Sequence, residues 1–219
     1  YCNNHLADDS WYENEFSFIQ GLDLKNRIIT EFKAIRFAYK LYEGIEATNE
    51  NLLFEVRNQI LAYASIYEAV IENVLNSYYS DTVEFDSLMH HIIPMKISIP
   101  QSKQDILQNV LSHDGKVIVP FYYTRKRKEK PQVRFDEKCR TAEGLGLIHK
   151  FINDDGVEID LPSEIIEIYS YRNGIHIIAE QRKGINYELD LSKKAYRRMR
   201  PFIDQLKDKL IQDGKIQIN

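Results

Sequence analysis

The chain has 219 residues, of which 43% are hydrophobic and 28% are charged, and its formal net charge is −4. These values exclude a disordered or collagen-like chain and predict an ordinary globular domain. The longest apolar runs are far shorter than the roughly 20 residues that cross a bilayer, so we predict no membrane span. Only Cys2 and Cys139 could form a disulfide, which favours a reducing, cytoplasmic location.

The first third of the chain predicts two helices. Residues 1–22 mix acidic and aromatic side chains without a steady period, and predict an irregular N-terminal arm that docks by its aromatic rings. Apolar side chains in steps of three and four predict a helix over residues 22–42 that ends near Gly44. A longer helix should begin after Thr48 and end at about Tyr79. Its apolar stripe comprises Leu53, Val56, Ile60, Tyr63, Tyr67, Val70 and Val74. We expect it to be the central pillar of a bundle.

The middle of the chain, residues 81–134, is predicted to be an insertion that contains β-structure or irregular backbone. Two prolines among alternating apolar residues predict an extended segment over residues 93–100. A short helix over residues 102–111 and a strand over residues 116–123 should follow. The strand should lead into a basic loop over residues 125–134, which holds six cations and one acid.

The last third predicts three more helices, which begin near Phe135, Leu161 and Ser192. Pro162 suits the first turn of the second of these helices. We expect a turn at Gly184 before the last helix, which should end near Gln212. The predicted fold is therefore mainly α: an antiparallel helical bundle that forms one domain over residues 23–219, with the small insertion described above.

Charge is distributed unevenly along the sequence. Residues 1–115 carry 8 basic and 17 acidic groups, a net charge of −9, whereas residues 116–219 carry 21 and 16, a net charge of +5. A polyanion would therefore prefer the second half of the chain.

A candidate catalytic pair occurs late in the helix that follows Pro162. Arg172 and His176 are four positions apart, so both side chains emerge on one face if the helix continues, and Asn173 lies one position further round. A guanidinium binds phosphate oxygens, and an imidazole can give and take a proton near neutral pH. This combination would support metal-free RNA cleavage by the adjacent 2′-hydroxyl.

The Arg172-Asn173 and His176 arrangement, between a long apolar helix and a basic last helix, resembles the signature of the HEPN superfamily. Members of that superfamily are small helical bundles, many of them ribonucleases of toxin–antitoxin pairs, antiviral defence or RNA processing, and their active site usually forms at a homodimer interface. The resemblance implies catalytic roles for Arg172, Asn173 and His176. Three residues separate Arg172 from His176, whereas the common family pattern has at least four.

The same resemblance suggests that Glu68 of the long helix matches an acidic position opposite the motif. Tyr171, which precedes Arg172, is a second supporting residue. The expected partners are RNA, a second copy of the chain, and an antitoxin or another subunit of a defence complex.

Two clusters of cations are candidates for RNA binding. One follows the aromatic segment at residues 121–123, so it combines phosphate contacts with base stacking. The other lies on the last helix. The predicted RNA-binding residues are Arg125, Lys126, Arg127, Lys128, Lys193, Lys194, Arg197 and Arg198.

No metal site or cofactor is predicted. His90 and His91 are adjacent in an extended segment and would point to opposite sides, so they chelate one ion poorly. Nucleotide-binding and zinc-binding spacings are missing from the sequence. Cys139 lacks a neighbouring base that would activate it as a nucleophile.

Three functions remain open at this point. The first is a metal-independent endoribonuclease that leaves 2′,3′-cyclic phosphate ends. The second is a non-catalytic module that binds RNA or a partner protein, in which the motif serves as a dimer contact. In a purely structural interpretation of the motif, Arg172 pairs with an acid of a neighbouring helix and His176 caps or packs at the helix end. The third is a structural subunit of a larger assembly.

Overall fold

Helices dominate the fold, as the sequence predicted. A computed structural model describes residues 1–111, 114–173 and 187–217. Within these ranges the helices are α1 (Asp9–Glu15), α2 (Leu22–Gly44), α3 (Asn49–Tyr78), α4 (Val83–Leu88), α5 (Gln101–Leu111), α6 (Phe135–Gly144), α7 (Leu161–Arg172) and α8 (Leu189–Gln212). The strands are β1 (His90–Lys96), β2 (Phe121–Arg127), β3 (Phe151–Ile152) and β4 (Glu158–Ile159). Two 3-10 turns occupy Cys2–His5 and Lys130–Gln132. No helix of these described ranges combines the length and apolarity that a bilayer crossing requires.

The core surrounds α3, which contacts α2, α6, α7 and α8. Its buried side chains recur at helical spacing because one broad face is apolar, and Tyr63, Tyr67 and Val70 have no exposed surface. The Tyr67 ring meets the Phe202 ring of α8 edge-to-face, with centroids 4.9 Å apart. The Tyr67 hydroxyl donates a hydrogen bond of 2.8 Å to the Ala195 carbonyl. The helix that the sequence marks as the pillar is therefore the centre of the fold.

The N-terminal segment is more regular than the sequence predicted. Instead of an irregular arm, it contains a 3-10 turn and α1, which begins where the Asp8 carboxylate accepts a hydrogen bond of 2.8 Å from the Trp11 N–H. Its aromatic residues dock as expected: Tyr12 and Phe16 are buried, and both rings contact Phe32 of α2.

β1 and β2 form an antiparallel ribbon within residues 81–134. The position of β2, the second strand of this ribbon, corrects one prediction. The strand begins at Phe121, five residues later than expected, so Arg125, Lys126 and Arg127 belong to the strand and not to a loop. Pro120 has no N–H for a strand ladder, and its carbonyl accepts the Ile97 N–H at the end of the ribbon. The residues before it bind α5 instead, where the Gln108 side chain accepts the Ile118 N–H at 3.0 Å.

The last two helices begin as their sequences suggest, with one shift. α7 begins at Leu161, directly before Pro162, as predicted. α8 begins at Leu189, three residues before the predicted Ser192, and ends at Gln212. Gly214, with φ +66°, follows α8 in the left-handed conformation that favours glycine. The expected turn at Gly184 lies outside the described residues.

Asp160 caps the N-terminus of α7 by accepting the Ser163 N–H at 3.1 Å. Replacement by alanine should lower the free energy of unfolding by about 0.5–2 kcal/mol, because one amide of the first turn loses its partner. Urea denaturation at pH 7 measures this change. Asp160→Asn keeps a side-chain acceptor and should cost less, so an equal loss in both variants would contradict the capping role.

The stabilisation that the Asp160 cap provides should depend on pH. Burial opposes ionisation of Asp160, but the Ser163 hydrogen bonds and the Lys150 ammonium outweigh it and lower the pKa of the carboxyl below its ordinary value of 3.8. A lowered folded-state pKa means that the stabilisation is present above 3.8 and is lost as the pH falls through the folded-state value. The difference between the wild type and Asp160→Asn should therefore shrink in that acidic range.

Candidate active site

The end of α7 places Arg172 against the middle of α3. The Arg172 guanidinium donates a hydrogen bond to a Glu68 carboxylate oxygen and forms an ion pair with it. The same guanidinium nitrogen lies 3.0 Å from the Tyr169 hydroxyl. Tyr169 in turn donates to the second Glu68 oxygen at 2.9 Å. These contacts fix the guanidinium at a defined position, and its side chain remains 32% exposed.

Tyr169 is held in place by a second contact. Its ring stacks on Phe135, the first residue of α6, with centroids 4.1 Å apart. Burial, together with the hydrogen bond to Glu68, raises the pKa of the Tyr169 hydroxyl. The phenol therefore keeps its proton near neutral pH and acts as a hydrogen-bond donor.

A cleft of about 500 Å³ lies between α3, α6 and α7. Its lining comprises Glu68, Glu72, Pro131, Val133, Arg134, Phe135, Asp136, Lys138, Ile166, Tyr169, Ser170 and Asn173. The Lys138 ammonium of α6 lies 2.6 Å from a Glu72 oxygen of α3. Arg134 pairs with Asp136 at 3.0 Å, yet its side chain is 76% exposed. The cleft is thus lined by two cations, each paired with an acid, by three carboxylates and by the Tyr169 hydroxyl, so it is suited to a polar ligand.

The predicted site residues fall into three groups. Glu68 and Asn173 line the cleft, and Arg172 binds two of the lining residues at its edge. Tyr171 is not part of the lining, because its hydroxyl donates to Glu167 at 3.3 Å and its ring contacts Tyr187. His176 lies outside the described residues. Among the residues that the structure describes, no imidazole lines the cleft.

The sequence suggested that the basic residues of α8 form one cluster. In the structure they divide between two faces of the helix. Lys194 and Arg198 form ion pairs with Glu164 of α7. Lys193 and Arg197 face α2 and line a separate groove. Only the first pair lies beside the helix that carries Arg172.

The β1–β2 ribbon presents aromatic rings and cations on the same face. Because side chains alternate between the two faces of a strand, one side of β2 carries Phe121, Tyr123, Arg125 and Arg127. Phe121 is 53% exposed and Tyr123 is 74% exposed. Arg125 pairs with Asp86, and the hydrogen bond between them lowers the pKa of that carboxyl. This face combines the two kinds of contact that single-stranded nucleic acid makes.

The remaining predicted cations differ in their partners. Lys128 lies 2.8 Å from a Glu137 oxygen of α6. Lys126 and Arg125 are adjacent in β2, so their side chains lie on opposite faces of the ribbon. Within the described part of the chain, no acid forms an ion pair with Lys126 or Arg127.

Sequence reasoning missed most of the cleft lining, including the polar residues Tyr169, Arg134 and Lys138. The available signal was the spacing of Glu68 and Glu72, which are one turn apart on a helix whose other faces are largely apolar. Two half-buried carboxylates on such a helix require cationic or hydroxyl partners from neighbouring elements.

Comparison of the chain with models of known protein families, with curated proteins and with solved structures found no match.

Proposed function

We propose that the protein is a metal-independent endoribonuclease of the HEPN type that acts in antiviral defence or stress response. The observation that carries the proposal is the position of Arg172. Its guanidinium is held by Glu68 and Tyr169 at the edge of an open cleft, at the last residue of α7 and four positions before His176 in the sequence. The site would be completed by a second copy of the chain.

The proposed reaction divides the work between the motif residues. The ribose 2′-oxygen attacks the adjacent phosphorus, the bond to the 5′-oxygen breaks, and a 2′,3′-cyclic phosphate and a 5′-hydroxyl result. His176 transfers the proton that the 2′-hydroxyl loses and the 5′-oxygen gains. Arg172 offsets the charge that develops on the phosphate oxygens. Asn173 holds the geometry from the cleft wall, while Glu68 orients the guanidinium.

The ribbon supplies an RNA-binding surface in this proposal. Phe121 and Tyr123 would stack with bases, while Arg125, Lys126 and Arg127 would contact phosphates. Lys194 and Arg198 lie on α8 beside α7 and are paired with Glu164, so RNA phosphates would have to compete with that carboxylate for them.

The direct test is incubation of the purified protein with single-stranded RNA in the presence of EDTA, followed by analysis of the RNA ends. We expect cleavage that EDTA does not prevent, with 2′,3′-cyclic phosphate ends on the products. RNA that remains intact after prolonged incubation at micromolar protein would contradict the nuclease proposal.

A second candidate function is RNA binding without cleavage. It is favoured by the ion pair between Arg172 and Glu68, which already compensates the charge of the guanidinium. The same assay separates the two candidates, because a binder would retard RNA on a native gel and leave it intact.

A further inference from the structure

A groove of about 260 Å³ separates α2 from α8 and is unusually rich in cations. Arg36 and Lys40 come from α2, and Lys193 and Arg197 come from α8. The rest of the lining is polar or aromatic and includes Tyr196, and it contains no carboxylate among the described residues. The groove is therefore suited to a small anion.

Two of these cations are available for a ligand. Within the described ranges, neither Arg36 nor Arg197 forms an ion pair with an acid. Arg36 is positioned by the Tyr196 ring, which lies 3.9 Å from the guanidinium carbon. Lys193 has only the highly exposed Asp190, at 3.6 Å. An anion would thus meet a fixed guanidinium without displacing a buried acid.

A second compartment, of about 280 Å³, adjoins this groove and shares Tyr39, Gln59 and Lys193 with it. Its walls include the apolar side chains Leu52, Val56 and Leu189. Two exposed acids, Glu43 and Glu46, also line it, and the Glu43 carboxylate pairs with Lys40 at 2.6 Å. Glu55 also lines it although the residue is only 3% exposed, and Gln59 donates a hydrogen bond of 2.7 Å to one of its oxygens. Burial raises the pKa of this carboxyl.

We propose that the two compartments together bind a nucleoside monophosphate. The phosphate would lie against Arg36, Lys193 and Arg197. The base would lie in the adjoining compartment beside Tyr39, where an exocyclic amino group could donate to Glu55.

This site is separate from the cleft that contains Glu68. Gln59 and Glu68 are nine positions apart on α3, and about 100° of rotation per residue places them on opposite sides of that helix. A ligand in the groove would therefore leave the cleft open.

Isothermal titration of the full chain at low salt tests the proposal, with AMP, adenosine and inorganic phosphate as probes. We expect AMP to bind, and adenosine and phosphate each to bind at least about tenfold more weakly, because each lacks half of the contacts. Arg197→Ala and Lys193→Ala should each weaken AMP binding by about tenfold to a hundredfold, since each removes a charge-assisted hydrogen bond.

Arg27→Ala is the matched control. Arg27 is exposed on α2, nine positions before Arg36, and does not line the groove. Its replacement removes one positive charge and should leave the affinity for AMP unchanged. No heat with millimolar AMP, equal binding of adenosine or phosphate, or an equal loss in Arg27→Ala and Arg197→Ala would each overturn the proposal.

Discussion

Replacement of His176 or Arg172 by alanine should remove RNA cleavage while the fold survives. A positioned general acid or base contributes about 10²–10⁴-fold to a rate, and a charge-stabilising donor about 10²–10³-fold. Single-turnover cleavage of a labelled RNA measures both losses. Arg172→Lys should also be severely impaired, because an ammonium cannot reproduce the planar donors that contact Glu68 and Tyr169.

Two controls separate a loss of catalysis from a loss of structure. Removal of Arg172 leaves Glu68 with the Tyr169 hydroxyl as its partner, so we expect the free energy of unfolding to fall by roughly 1–3 kcal/mol, and circular dichroism should show that the variant stays folded. Arg140 is on the surface, with a side chain 69% exposed, but does not line the cleft, so Arg140→Ala should cleave at the wild-type rate. Full activity in either motif variant would refute the assignment.

Phe202→Ala should cause a large loss of stability. The side chain is fully buried and its ring meets Tyr67 at the centre of the bundle, so truncation leaves a cavity beside α3. We expect the free energy of unfolding to fall by about 3–5 kcal/mol. Chemical denaturation monitored by circular dichroism measures the difference.

Comparison variants make this prediction specific. Tyr67→Phe removes only the hydroxyl that binds the Ala195 carbonyl and should cost about 1 kcal/mol. Phe54→Ala alters an aromatic residue of α3 that is 58% exposed, and should change stability by less than about 0.5 kcal/mol. A loss in Phe54→Ala that matches the loss in Phe202→Ala would show that the packing around α3 is not as described.

The long helices were predictable because their signals are local. The stripe from Val56 to Val74 repeats at helical spacing, and Pro162 marks the start of α7, so the sequence places both helices within a few residues of their observed positions. The start of α8 and the position of β2 differ from the sequence prediction because they depend on neighbouring segments. For example, β2 begins after Pro120 because proline has no N–H to pair with a neighbouring strand, and this effect depends on the pairing of β2 with β1.

The contacts of the candidate site could be predicted only in part. A carboxylate at Glu68 was expected opposite the motif, but the position of Tyr169 between Glu68 and Arg172 follows from how α7 packs against α3 and α6. Likewise, four cations close together on α8 look like one surface in the sequence. Their division between α7 and α2 depends on the orientation of α8, which no local pattern encodes.

The ribbon and the pillar differ in how they are stabilised. Two strands alone have marginal stability in water, and the ribbon is fastened to the bundle at its base, where the Lys128 N–H binds the Met89 carbonyl at 2.7 Å and Arg125 binds Asp86. Local opening of such a peripheral unit costs less free energy than global unfolding. The two strands can therefore separate from the rest of the molecule in a partial unfolding event while the hydrophobic interior keeps its native packing.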